Sequence, residues 1–319
     1  MLPRISIAHL PTPLEPLPRL SVRLGGPNLF VKRDDLTGLA LGGNKTRKLE
    51  FLIAEAQANG AKMLITAGAT QSNHCRQTAA AAARFGFNCI LVLTGEMPLI
   101  KDGNTLLDYL MGAKIMWTSK DKRDEVLQST FDAYWEKGHR PYLIPYGGSS
   151  GTGVAAYAYA LQELLIQHDS IDWLVLASSS GGTQAGLLIG AGMCGWHGKI
   201  LGISVDEPES ILINRVQELV SAGSSKMNLN TELSSTSIRI NDNYIGEGYG
   251  VMGQIEKEAI QLFAQQEGLI LDPVYTGRAA AGLIDLIGQG FFKKDEKVVF
   301  WHTGGTPALF ASQYTAALQ

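Results

Sequence analysis

Apolar positions along this chain follow two alternating rhythms, short continuous runs that read as buried strands and longer stretches with helical spacing. Residues 28–32 form the first strand-like run. Residues 46–58 then carry Leu49, Leu52, Ile53 and Ala56 on one helical face. A strand at 63–66, a loop at 67–72, an alanine-rich helix at 73–85 and a strand at 89–93 follow. The pattern continues with helix 104–111, strand 114–118, helix 122–137 and strand 142–145. After it come helix 152–167, strand 173–177, helix 183–194 and strand 200–205. Helices at 210–222 and 253–266 flank a polar, loop-like region at 224–243, and helix 277–288, strand 297–301 and helix 307–314 close the chain. Such alternation predicts an α/β fold of parallel βαβ units, with helices on both sheet faces. Pro145-Tyr146-Gly147-Gly148-Ser149-Ser150-Gly151 breaks the composition and marks a crossing between two lobes. No repeat of 20 to 50 residues is visible, which excludes a solenoid.

Composition narrows the partners. The 319 residues include 36 glycines, and the 27 basic and 30 acidic side chains nearly balance and are interspersed. That leaves no electrostatic footprint for nucleic acid or an anionic membrane, and points to a small molecule. Cys75, Cys89 and Cys194 form no CxxC pair and no disulfide framework, as expected of a cytoplasmic protein. The first twenty residues are broken by five prolines and lack a signal-peptide core, and no window has the apolar length of a membrane span. The six histidines show no HxxxH or HxH spacing, so no metal site is expected.

One turn carries chemistry more plainly than the rest. Gly42-Gly43-Asn44-Lys45 precedes the helix at 46–58, with Asn44 as a candidate N-cap and Lys45 in the first turn. There the positive end of the helix dipole disfavours an ammonium, which suits a lysine acting as an amine nucleophile. A solvated surface lysine is the plainer alternative on this stretch alone. Asp34 and Asp35, just upstream, point to opposite faces of an extended chain, so they read as ion-pair partners of nearby Lys or Arg rather than as an acid–base pair.

Four further loops are candidates, three of them directly after strands, where an open α/β sheet forms its ligand crevice. Ser178-Ser179-Ser180-Gly181-Gly182-Thr183 joins an apolar strand to a helix. Hydroxyls, side-chain-free glycines and a helix start suit one phosphate monoester, though a tight turn that binds nothing has the same composition. Neither GxGxxG nor the P-loop pattern is present. Gln71-Ser72-Asn73-His74 opens a helix and suits either an anion such as a substrate carboxylate or plain N-capping. Cys75 beside it reads as a packed thiol. Asp272-Pro273-Val274-Tyr275-Thr276-Gly277 and His302-Thr303-Gly304-Gly305 are crowded with hydroxyls, and Tyr249 is a further candidate wall residue.

Together these segments resemble the fold-type II pyridoxal-phosphate enzymes, the tryptophan synthase β-like superfamily. Within it they look like the branch that holds 1-aminocyclopropane-1-carboxylate deaminase, D-cysteine desulfhydrase and L-cysteate sulfo-lyase. The matching motifs are Val31-Lys32-Arg33-Asp34-Asp35, Gly42-Gly43-Asn44-Lys45 with Arg47-Lys48-Leu49-Glu50, Gln71-Ser72-Asn73-His74, Ser180-Gly181-Gly182-Thr183, Leu271-Asp272-Pro273-Val274-Tyr275 and His302-Thr303-Gly304-Gly305. The resemblance implies two lobes, each a mostly parallel open sheet flanked by helices. Residues 1–47 and 152–319 would form the larger, cofactor-binding lobe and 48–151 the smaller inserted one. It implies pyridoxal 5'-phosphate carried by Lys45, with Asn44, Asn73, Ser180, Gly181, Gly182, Thr183, Thr276 and Thr303 around it. Ser72, Asn73, His74, Tyr249 and Tyr275 would meet the substrate, with Lys45, Ser72, Tyr249 and Tyr275 as the catalytic set, and the enzyme would be a homodimer.

Two departures narrow the reaction. The cyclopropane deaminases carry a glutamate and a leucine where this chain has Thr276 and Thr303. A carboxylate beside the pyridine nitrogen keeps it protonated and strengthens the electron sink, whereas a threonine hydroxyl does not. A weaker sink suffices when a good leaving group departs from the β carbon. The expectation is therefore α,β-elimination from a sulfur amino acid, first D-cysteine to pyruvate, ammonia and hydrogen sulfide, then L-cysteate with sulfite as product. Ring opening of the cyclopropane acid ranks lower. A phosphate-ligand sensor on the same scaffold is the non-enzymatic alternative.

Overall fold

Both faces of the strand Trp173–Ser178 are apolar, and that sets the architecture. Trp173 and Val175 pack into one core, Leu174 and Leu176 into another on the opposite side. The strand Lys297–His302 divides the same way, Val298 and Phe300 against Val299 and Trp301. A parallel sheet with helices on both faces needs this two-sided burial. The computed structural model describes residues 2–230 and 237–318.

The elements, in order, are β1 (Leu14–Pro16), α1 (Pro18–Leu24), β2 (Asn28–Arg33), α2 (Asn44–Ala58), β3 (Met63–Ala69), α3 (Asn73–Phe85), β4 (Asn88–Thr94) and α4 (Gly103–Leu110). They continue with β5 (Lys114–Thr118), α5 (Arg123–Glu136), β6 (Pro141–Leu143), α6 (Gly151–Gln167), β7 (Trp173–Ser178), α7 (Gly182–Cys194) and β8 (Lys199–Ser204). The last are α8 (Glu209–Lys226), β9 (Arg239–Asn241), α9 (Gln254–Glu267), α10 (Thr276–Gly288), β10 (Lys297–His302) and α11 (Ser312–Leu318). One sheet runs β1-β2-β10-β7-β8-β9, antiparallel only at β1, and the other runs β5-β4-β3-β6, parallel throughout. Helices α6, α7 and α8 cover one face of the larger sheet, and α1, α9 and α10 the other. Leu49, Leu52 and Ile53 of α2 pack with Leu64, Ala79 and Leu91 over the smaller sheet. Residues 145–151 lead from β6 of the smaller sheet into α6 on the larger.

The structure departs from the sequence expectation in four places. The proline-rich start holds β1 and α1. Pro16 is tolerated because β1 is an edge strand, and Pro18 sits in the first turn of α1, where its missing N–H costs nothing. The polar 224–243 region contains the end of α8 and the short β9, and its residues 231–236 lie outside the described residues. The closing helix is split into a 3-10 turn at Thr306–Phe310 and α11. Asp34 and Asp35 lie in a 3-10 turn rather than an extended strand, yet both are ion-paired as expected, Asp34 with Arg47 at 2.8 Å and Asp35 with Arg33 at 2.8 Å.

Asp34 is the anchor beneath the glycine turn. Its carboxylate receives Arg47 Nε and Nη2, Thr12 Oγ1 at 3.0 Å, Trp301 Nε1 at 2.9 Å and the Tyr157 hydroxyl, while Arg47 also reaches Glu163 at 2.9 Å. Burial alone would raise this carboxyl, but the charge and hydrogen bonds of Arg47 outweigh it and hold it below the usual range. Its backbone carbonyl takes the Gly43 N–H at 3.0 Å. The turn that presents Lys45 is thereby fixed from behind.

Candidate functional site

Two glycine segments pass each other at the carboxyl end of the larger sheet. Gly43 has φ 125°, and a Cβ there would lie 2.4 Å from Gln77 Nε2. Gly304 has φ 81°, and a Cβ on it would lie 2.7 Å from the Gly43 Cα. Only glycine fits either position. The crossing is tied by the Asn44 N–H donating to the Thr303 carbonyl at 2.9 Å. Gly43, and not Asn44, takes the N-cap position, so Asn44 is the first helical residue. Its side chain is free to span the cleft, where Nδ2 donates to Thr183 Oγ1 at 3.0 Å.

Lys45 follows in the first turn of α2 and lines a cavity. Its amine is lowered from its ordinary value to about 8, and the cause is burial. Desolvation thus produces the effect that the sequence alone attributes to the helix dipole. Also around this cavity are Asn44, Ser72, Asn73, His74, Tyr146, Gly147, residues 177–181, Thr183, Tyr275, Thr303 and Gly304. Among these described lining residues none is an aspartate or glutamate. The wall therefore carries no carboxylate, and its hydroxyl, amide and amine groups can all donate.

The 178–183 loop shows what the donors are for. Gly181 takes φ 75° at the start of α7, and no side chain caps the first turn of that helix. Ser180 and Ser149 hydroxyls meet at 2.9 Å. Gly182 does not line the cavity, but a Cβ on it would fall 2.8 Å from Lys48 Nζ. Lys48, one helical turn beyond Lys45, is fully buried, and among the described residues its amine has only neutral partners, the Gly147 carbonyl at 3.2 Å and Ser149 Oγ at 3.3 Å. Burial and the neighbouring Lys45 hold it well below its ordinary value. A buried amine without a counter-charge beside an uncapped helix start is the environment a phosphate dianion completes. Sequence reasoning missed Lys48 as a site residue. Its spacing of three from Lys45, which puts both on one helical face, was the available signal.

Ser72 accepts the Cys75 N–H at 3.2 Å as N-cap of α3 and also lines the cavity. Cys75 is a buried thiol raised well above its ordinary value by burial. His74 Nε2 lies 2.9 Å from Thr66 Oγ1, whose own proton goes to the Ile144 carbonyl at 2.8 Å. The imidazole must therefore donate through Nε2, leaving Nδ1 an unpartnered acceptor. Burial and the two lysines keep it neutral.

The tyrosines form a pair. Their hydroxyls are 2.6 Å apart and their rings meet edge to face, with Tyr275 on the cavity and Tyr249 on the adjoining cleft. Burial raises both phenols well above their ordinary value, so both carry their protons at neutral pH. Thr303 lines the cavity, but Thr276 does not. Its hydroxyl donates to the Asp272 carboxylate at 2.8 Å, which also collects the N–H groups of Val274, Tyr275 and Thr276. Thr276 is thereby committed to shaping the turn that presents Tyr275. Of the residues expected from sequence, the cavity brings together Asn44, Lys45, Ser72, Asn73, His74, Ser180, Gly181, Thr183, Tyr275 and Thr303.

What such a cavity accepts is a small molecule with one phosphate and a carbon that an amine attacks. The chain belongs to the pyridoxal-phosphate dependent enzymes, whose family model matches residues 5–304. Its cofactor is pyridoxal 5'-phosphate, and the donor wall, the uncapped α7 start and the two buried amines fit that group. The chain is 42% identical to a D-cysteine desulfhydrase of Klebsiella pneumoniae (strain 342) over 318 residues, 97% of this chain and 96% of the relative. It is 43% identical to one of Salmonella typhi over 320 residues, with the same shares covered. A crystal structure of an ACC deaminase homologue superposes with a TM-score of 0.92 at 35% identity, over 99% of this chain and 95% of the other. A fungal L-serine ammonia-lyase from Rhizomucor miehei shares the fold, with a TM-score of 0.70 at 16% identity over 98% of this chain and 97% of the other. No helix among the described residues is long and apolar enough to cross a membrane, and no cluster of three or more potential metal ligands occurs among them.

Proposed function

We propose that this protein is a D-cysteine desulfhydrase, a carbon–sulfur lyase that converts D-cysteine and water to pyruvate, ammonia and hydrogen sulfide. The observation that carries the reading is identity of 42 to 43% with D-cysteine desulfhydrases across 97% of the chain. Bound pyridoxal phosphate supplies a sink for the electron pair left on Cα when its proton is removed. Lys45 would hold the cofactor in the resting enzyme, and with substrate bound its amine is placed to take the Cα proton. An amine with a pKa near 8 is matched to that work around neutral pH. Ser180, Gly181 and Thr183 would hold the phosphate, with Asn44 fixing the Thr183 hydroxyl and Lys48, behind Gly182, adding its charge from outside the cavity wall. Asn73 would hold the cofactor at its phenolic oxygen, and the Thr303 hydroxyl would serve the ring nitrogen without charging it. Ser72, at the start of α3, anchors the substrate carboxylate beside the neutral His74. The Tyr249–Tyr275 pair, protonated and joined at 2.6 Å, supplies the proton that the departing sulfur needs. Residues 48–151 form the smaller lobe and 1–47 with 152–319 the larger. On the resemblance alone, the protein is assigned as a cytoplasmic homodimer.

The test is pyruvate release from D-cysteine, L-cysteine, L-cysteate and 1-aminocyclopropane-1-carboxylate in parallel, with sulfide and sulfite measured as co-products; the cyclopropane acid is followed by the 2-oxo acid and ammonia it yields. D-Cysteine should give the highest kcat/KM, with pyruvate and sulfide in equal amounts. Preference for L-cysteate, with sulfite released, would replace this reading by sulfo-lyase activity. Turnover of the cyclopropane acid alone would refute the threonine argument, and ligand binding without any turnover would leave a sensor.

A further inference from the structure

We infer that Asn104 sets the orientation of the Asn73 amide, and so decides whether that wall of the cavity offers a hydrogen-bond donor or an acceptor. The inference rests on the reading that Asn73 faces the phenolic oxygen of the cofactor. Asn104 lies in the first turn of α4, is fully buried and does not line the cavity. Its Nδ2 lies 2.9 Å from the Gln71 carbonyl and 2.9 Å from Asn73 Oδ1. A backbone carbonyl only accepts, so the atom of Asn104 that faces it is the amide nitrogen. The atom of Asn73 that meets this same nitrogen must then be its oxygen. Asn73 Nδ2 is thereby turned the other way, over Gly305, where a Cβ would come within 2.7 Å of it. The neighbouring Gly304 lines the cavity.

The arrangement has a visible cost, since Asn104 Oδ1 is buried without a partner. The α4 turn is itself held. The Asn104 N–H donates to Gln71 Oε1 at 2.7 Å, Gln71 Nε2 donates to Asp102 Oδ1 at 3.1 Å, and Thr105 Oγ1 donates to the Thr70 carbonyl at 3.0 Å. Asp102 Oδ2 in turn takes the Ser312 N–H of α11 at 2.6 Å. Asn104 is thus a positioning residue that acts through Asn73, fixed by the loop it orients.

The test follows the visible band of the lysine-bound cofactor as a function of pH in the holoprotein. A donor at the phenolic oxygen favours its anionic form, so an acceptor there favours the protonated form and moves the midpoint up. Asn104→Asp should turn the Asn73 amide round to donate to the new carboxylate and raise the midpoint by about one pH unit or more, as loss of a hydrogen bond to a charged group would. Asn104→Ser, which retains one donor, should raise it less, and it carries the test if Asn104→Asp binds too little cofactor. Asn73→Ala, which removes the donor outright, is the reference. The other titratable groups facing this wall, Lys45, His74, Tyr146, Tyr275 and the Asp272 carboxylate beside Gly305, are the same in every variant. Asn104→Asp, however, adds a charge of its own that also raises the midpoint, so the uncharged Asn104→Ser decides between the two causes. A rise in Asn73→Ala with a wild-type midpoint in both Asn104 variants would overturn the role of Asn104 alone. No rise in Asn73→Ala would remove the reading of Asn73, and the inference with it.

Discussion

Lys45→Ala abolishes the visible band of the lysine-bound cofactor and lowers pyruvate release from D-cysteine by about four orders of magnitude, the upper range for loss of a general base. The neighbouring buried amine cannot take over. Lys48 is held at the Gly147 carbonyl and Ser149 Oγ on the phosphate side, one helical turn away. The same substitution should leave the apoprotein at least as stable as the wild type. Burial lowers the Lys45 amine to about 8, so its folded pKa lies below the unfolded one. Between about 8 and the ordinary lysine value the folded state therefore binds fewer protons. This lysine's cost to stability grows as pH falls through that window and is present in full below about 8. Thermal melting of the apo forms, read beside the absorbance spectrum and the pyruvate assay, separates loss of chemistry from loss of fold. Retained turnover with a retained band would remove Lys45 from the mechanism.

Asp34→Ala is the substitution expected to damage the fold most, by about 3–5 kcal/mol, because it leaves a buried cation short of its partner. Arg47 would keep Glu163 and the Thr12 hydroxyl, and the Tyr157 hydroxyl and the Trp301 indole would lose their acceptor. Thr12 Oγ1 would keep the weaker contact with Glu163 at 3.4 Å. Asp34→Asn should be nearly as harmful, since an amide cannot accept from both arms of the guanidinium. The damage should also reach the chemistry, because Arg47 lies two residues beyond Lys45 on α2 and Asp34 fixes the Gly43 N–H. Chemical denaturation of the apoprotein measures the first effect, and cofactor affinity the second. A loss below about 1 kcal/mol in Asp34→Ala would mean that the network is not the anchor it resembles.

What the sequence made legible was whatever depends on local pattern. Strand β5 and helix α3 fall at the boundaries the apolar rhythm predicts, and most other elements lie within a few residues of theirs. The lysine turn and the serine-glycine loop were found because glycine, hydroxyl and helix start lie together in sequence. Features set by tertiary contact were not legible. β1 exists because β2 offers an edge, which a reading of Pro16 and Pro18 as breakers cannot see. Asn44 leaves the cap position because Gly43 takes φ 125° and Thr183 lies across the cleft. Thr276 turns from the cavity because Asp272, four residues earlier, collects its hydroxyl and its N–H. Lys48 and Asn104 passed unremarked for the same reason, since one matters through a missing counter-charge and the other through the amide it turns.

In the proposed mechanism one buried amine is the covalent anchor while its neighbour stays non-covalently on the phosphate side. Borohydride reduction of the resting holoprotein, followed by digestion and mass mapping, tests that most directly. The predicted result is a single pyridoxyl-phosphate adduct per chain, on Lys45, with Lys48 unmodified. An adduct on Lys48, or on any lysine other than Lys45, would contradict the account.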